Sequence, residues 1–128
     1  MTERQRIAGR SPYEDRFSFS RAVRVGERVL VSGTAPVWPD GGCDPDPGAQ
    51  TERCFELIAE ALAEAGCGLD AVIRTRMFIV DPADADAVGA AHSRAMADAR
   101  PAASMIVVTG LLDPRWKVEI EAEAVAGD

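Results

Sequence analysis

A chain of 128 residues is the size of one domain and is long enough to bury a core without disulfides or metal. Hydrophobic residues at 47% and charged residues at 27% are globular proportions and exclude a disordered chain. A net charge of −7 leaves little basic surface for phosphate neutralisation, so no nucleic-acid partner is expected.

Residues 1–16 mix charge with Gly9, Ser11 and Pro12 without a sustained period. They read as an irregular N-terminal arm ahead of a single domain over 17–128. From Phe17 the apolar positions alternate through Phe19 towards Val23 and Val25. Gly26-Glu27 is a turn signal, and Arg28–Thr34 is a second β-rich run, so the pair predicts a hairpin. Residues 35–48 hold Pro36, Pro39, Gly41, Gly42, Pro45, Pro47 and Gly48, a loop of the length that often carries function.

A helix follows. Asp46 suits the N-cap and Pro47 the first helical position. Cys54, Phe55, Ile58, Ala61, Leu62 and Ala65 form one stripe, and Gly66 stands where a left-handed residue ends a helix. Residues 71–80 read as a strand closed by Asp81-Pro82. A second helix is predicted over 84–98, with Val88, Ala91, His92, Ala95 and Met96 on its apolar stripe. His92 there is expected to be packed and hydrogen-bonded rather than catalytic. A buried strand is predicted over 102–109. Trp116–Val125 alternates strictly, with Trp116, Val118, Ile120, Ala122 and Ala124 on one face and charge on the other. The order β-β-α-β-α-β-β predicts an α+β sheet with two helices on one face. The other face is left to solvent or a partner chain.

Three cysteines without a CxxC pair and a single histidine make no zinc set. Cys54 and Cys67 are expected to pack as reduced thiols, and no metal or organic cofactor is expected. The polar start Met1–Arg6 has no apolar signal core, and no run approaches the roughly 20 apolar residues of a membrane span. A cytoplasmic protein without a membrane partner is the expectation.

Arg21-Ala22-Val23-Arg24-Val25-Gly26, Val29-Leu30-Val31-Ser32-Gly33, Ala49-Gln50-Thr51, Arg100-Pro101-Ala102-Ala103-Ser104 and Val118-Glu119-Ile120-Glu121-Ala122 together resemble the YjgF/RidA family. The likeness covers nearly the whole chain from Phe17, in order and at matching spacing. It implies a chorismate-mutase-like α+β fold, a homotrimer with three inter-subunit clefts, and hydrolysis of 2-aminoacrylate-type enamines and imines. Carried over position by position, the resemblance places Phe19 at the family's tyrosine, Gly89 at its asparagine and Met105 at its cleft cysteine. Ser32 and Gly33 keep its Ser-Gly turn. Glu119 keeps the glutamate that positions or activates water. Ala103 stands where the deaminases carry an arginine that clamps the substrate carboxylate. Losing that planar, bidentate contact removes about 1.5–3 kcal/mol or more, a ten- to hundredfold loss in carboxylate recognition. Arg21 is the best-placed substitute. The arm, with Pro12, Tyr13 and Phe17, is extra relative to short members and is a candidate flap over the cleft.

The combined reading is a trimeric protein that binds a small metabolite in its clefts and lacks standard 2-imino-acid deaminase activity. The competing reading is a hydrolase acting on a different, uncharged substrate, with Glu119 positioning water. A functional Glu119 should sit near Ser32 among Ala103, Met105 and Phe19, with its pKa raised by desolvation. A structural one should lie on an open sheet face paired with a cation. Ribonuclease chemistry is disfavoured, because one histidine and a net negative charge supply neither an acid–base pair nor phosphate-binding cations.

Overall fold

The single period-two strand near the C-terminus becomes the centre of the architecture. In the computed structural model, which describes residues 3–127, that strand is β6 (Val118–Val125), and it lies between strands β3 and β4. The six strands are β1 (Arg4–Ile7), β2 (Ala22–Val25), β3 (Arg28–Thr34), β4 (Val72–Ile79), β5 (Ala102–Val107) and β6, in the order β1-β2-β3-β6-β4-β5. All pairings are antiparallel except β4 with β5, which run parallel because helix α3 (Ala85–Ala95) makes the crossover between them.

Alternation assigns the two faces. Val118, Ile120, Ala122 and Ala124 of β6 are buried, as are Val29 and Val31 of β3 and Met77 and Ile79 of β4. Helix α2 (Pro47–Glu64) covers this side with Cys54, Phe55, Ile58, Ala61 and Leu62. Its ends are those the sequence signals. The Asp46 carboxylate accepts the Ala49 N–H at 2.8 Å, Pro47 opens the first turn, and Gly66 follows the last turn at φ +94. Free Cys54 is buried and Cys67 is partly buried against the core. His92 Nε2 bonds Thr75 Oγ1 at 2.8 Å and meets the Phe55 ring edge-on, so the histidine is a packed, hydrogen-bonded and half-buried residue. Burial holds its pKa below the usual imidazole value.

The arm is not irregular. β1 adds an edge strand to β2, pairing Arg4–Ile7 against Ala22–Val25, and residues Pro12–Phe17 form helix α1. The Ser11 hydroxyl accepts the Tyr13 N–H at 3.2 Å, and the Glu14 carboxylate reaches back to the Ser11 N–H at 3.4 Å. This reciprocal cap holds so short a helix. Phe17 therefore ends a helix instead of opening a strand, and β2 begins at Ala22. Trp116 likewise precedes β6. No helix among the described residues is long and apolar enough to cross a membrane.

Candidate functional site

Where the arm, β3, β6 and α2 converge, the chain forms a partly open cavity of about 920 Å³. The arm supplies Ala8 to Tyr13 and Phe17. The approach to β2 supplies Phe19 and Arg21, and β3 supplies Ser32 to Thr34. The loop after β3 brings Trp38, the loop before β6 brings Arg115 and Trp116, and β6 brings Glu119. The arm is thus a wall of the cavity.

Glu119 sits there because strand parity turns it away from the core, on the same face as Glu121 and Glu123. Those two are ordinary surface carboxylates. Arg76 Nη1 lies 3.0 Å from Glu121 and 3.8 Å from Glu123, and Arg28 reaches Glu123 at 3.6 Å. Among the described residues Glu119 has no such ion pair. It folds over the backbone of Gly33, where a Cβ would overlap its Oε2 and lie 3.2 Å from its Cδ. A glycine is required at 33 for this close approach. Burial raises the Glu119 pKa above the usual carboxylate value; the Arg21 charge opposes that shift and the Glu121 charge adds to it.

Arg21 is occupied. Its Nη1 donates to the Gly33 carbonyl at 2.7 Å and to Thr34 Oγ1 at 3.1 Å, and its Nε lies 3.4 Å from the buried Glu14 carboxylate. Glu14 also accepts the Gly9 N–H at 2.8 Å, so one carboxylate caps α1, fixes the arm and neutralises Arg21. That makes Arg21 a poor replacement for a carboxylate clamp. Ser32 is also committed, its hydroxyl donating to the Ser20 carbonyl at 2.7 Å.

The sequence-derived site residues divide into two groups. Phe19, Ser32, Gly33 and Glu119 share the cavity. Gly89, Ala103 and Met105 do not. Ala103 and Met105 lie on edge strand β5, paired with Thr75 and Met77 on the helix-covered side of the sheet. A Cβ at Gly89 would stand 3.9 Å from Met105 Cε. Within one chain, therefore, Glu119 shares the cavity with Phe19 but not with Ala103 or Met105.

Gln50, quoted above only as part of a resemblance, turns out to organise the rim. It is fully buried on α2, and its Nε2 donates to the carbonyls of Asp44 at 2.8 Å and Arg115 at 3.0 Å. Its Oε1 accepts the Lys117 N–H at 2.7 Å. One amide thus ties both rim loops to the helix. Gln50→Leu strands these backbone groups, and a loss of about 1–3 kcal/mol in urea unfolding is expected. A loss under about 0.5 kcal/mol, the range of an ordinary surface change, would refute the clamp.

Among the described residues no group of three or more His, Cys, Asp or Glu side chains is placed to hold a metal ion.

Comparison with known proteins agrees with this architecture. The family model "Endoribonuclease L-PSP" matches residues 11–126. "Uncharacterized protein SCO2049" of Streptomyces coelicolor is 41% identical over 126 residues, covering 96% of this chain and 92% of that protein. The mouse "2-iminobutanoate/2-iminopropanoate deaminase" is 31% identical over 113 residues, covering 85% and 82%. The crystal structure of Rv2704 from Mycobacterium tuberculosis, described as a member of the YjgF/YER057c/UK114 family, superposes with a TM-score of 0.88 at 38% identity, covering 96% and 99%.

Proposed function

We propose, from the premise that this chain belongs to the endoribonuclease L-PSP family, also called YjgF/RidA, that it forms a homotrimer binding a small metabolite in inter-subunit clefts without the standard 2-imino-acid deaminase reaction. The observation carrying the reading is the paired absence of a clamp: Ala103 stands at the arginine position, and Arg21 is already held by Glu14, Gly33 and Thr34.

The sheet face away from α2 and α3 supports the assembly. Leu30 and Ile73 are each 47% exposed and Ile106 is 39% exposed, around the Arg76–Glu121 pair. An apolar face of this kind favours burial against another copy, and a closed cyclic arrangement is the usual solution. A neighbour's β5 edge set against the cavity would unite Gly89, Ala103 and Met105 with Phe19, Ser32, Gly33 and Glu119. Sedimentation velocity at micromolar concentration is expected to show a trimer; a monomer alone would remove the clefts and the reading with them.

The unpaired Glu119 favours one second reading, hydrolysis of an imine lacking a carboxylate. Glu119 would take a proton from water as the water oxygen bonds to the imine carbon, and pass it to the imine nitrogen to give the carbinolamine. The carbinolamine would then expel its nitrogen as the amine, with a proton moving to nitrogen and the C=O forming. Ribonuclease chemistry has no support in the site, since the chain's one histidine is packed against Thr75 and Phe55.

A further inference from the structure

Five of the chain's seven aromatic side chains, Tyr13, Phe17, Phe19, Trp38 and Trp116, line this cavity. They come from the arm, the approach to β2 and both rim loops, so no helical or strand period accounts for their convergence. The charges around them are uneven. Each arginine lining the cavity has its own carboxylate: Arg10 with Glu60 at 3.9 Å, Arg21 with Glu14 at 3.4 Å, Arg53 with Glu56 at 3.1 Å and Arg115 with Asp113 at 2.8 Å. Glu119 is left without a cationic partner among the described residues. Glu64, also unpaired, is exposed at the end of α2. The ring faces are similarly divided. Arg16 lies over Tyr13 and Phe17 at 5.6 and 5.2 Å, and Arg21 over Phe19 at 5.7 Å. The two indoles carry no guanidinium among the described residues.

We propose that this cavity takes an aromatic amine, as its ammonium or iminium cation, with the ring against Trp38 and Trp116 and the charge on Glu119. The proposal rests on the small-molecule reading above and fixes the sign of the ligand's charge. A cation supplies Glu119 with the charge-assisted hydrogen bond it lacks, and an indole is the strongest of the natural cation–π partners. A carboxylate ligand meets the opposite situation: a Glu119 without an ion pair, and arginines that each already face a carboxylate. Gly33 belongs to the same device, because only a residue without Cβ lets Glu119 reach its position.

The test uses the assembled full chain and three probes of matched skeleton, 2-phenylethylamine, 2-phenylethanol and phenylacetate. Both tryptophans line the cavity, so their fluorescence reports occupancy, with titration calorimetry alongside. The amine is expected to bind at least about tenfold more tightly than phenylacetate at neutral pH. Glu119→Gln is expected to bring amine and alcohol within about twofold of each other. Gly33→Ala, which displaces the end of the Glu119 side chain, should weaken the amine more than the alcohol. Alcohol or acetate binding as tightly as the amine would overturn the charge assignment while leaving a small-molecule cavity. No response to any probe at millimolar concentration would overturn both.

Discussion

Hydrolysis of 2-iminopropanoate by this chain is expected to run at least about ten- to hundredfold below an active family deaminase, measured as ammonia release coupled to an amino-acid oxidase. The factor follows from one missing charge-assisted bidentate contact, worth about 1.5–3 kcal/mol. Ala103 lies on the edge strand β5 and is exposed, so an arginine can be placed there without disturbing the core. Ala103→Arg should therefore fold normally and recover part of the rate. Gly89 limits that recovery, because the resemblance puts an asparagine at its position. Its place in α3 leaves room for a side chain, the nearest atom to a Cβ being Met105 Cε at 3.9 Å. A glycine inside a helix costs about 0.5–1 kcal/mol relative to alanine, so Gly89→Asn is admissible to the fold. The double variant Gly89→Asn/Ala103→Arg is expected to exceed Ala103→Arg alone. A wild-type rate equal to the control would show that carboxylate recognition comes from elsewhere and would end the non-deaminase reading.

The parts of the fold that the sequence made legible are those stabilised by local chemistry. Asp46, Pro47 and Gly66 bound α2 because capping and left-handed backbone are decided within a turn. Strict alternation from Val118 identified β6 because half its residues face the core. What stayed hidden depends on distant partners. Arg4–Ile7 buries only Ile7 and is a strand only because β2 offers it an edge. Helix α1 had a signal, the Ser11-Pro12-Tyr13-Glu14 capping box, but Gly9 and Pro12 in the same stretch read as breakers. In the site, Glu119 was singled out by the resemblance and not by its place in the alternation, and a raised pKa was the expectation for a functional Glu119, the direction found here. The aromatic convergence was not legible, since Tyr13, Trp38 and Trp116 lie on segments that only the sheet order brings together. Nor was the loss of Arg21 as a clamp, because Glu14 reaches it through a helix whose existence was unread.

The stability of this chain should carry a pH-dependent contribution from Glu119 that a difference between wild type and Glu119→Gln isolates. Burial raises its carboxylate above the ordinary value in the folded state, with Arg21 opposing and Glu121 reinforcing the shift. Between the ordinary carboxylate pKa, about 4.3, and the raised one, the folded protein binds more protons than the unfolded chain. Unfolding free energy therefore falls as pH rises through that window and is level above it. Each unit of elevation corresponds to about 1.4 kcal/mol. Glu119→Gln removes the titration but keeps the shape, so it should match wild type at the acid end and exceed it at neutral pH. Asp113, held below its usual value by Arg115, and His92, lowered by burial, titrate alike in both proteins. Their contributions cancel in the difference curve. The readout is urea unfolding of both proteins across the acid-to-neutral range. Parallel curves would mean that Glu119 titrates as an ordinary surface carboxylate and that burial puts no penalty on its charge. A gap that opens with rising pH, and narrows when 2-phenylethylamine is added to wild type, is the expected result. The free energy lost by keeping Glu119 ionised and unpaired is then what a cationic ligand restores.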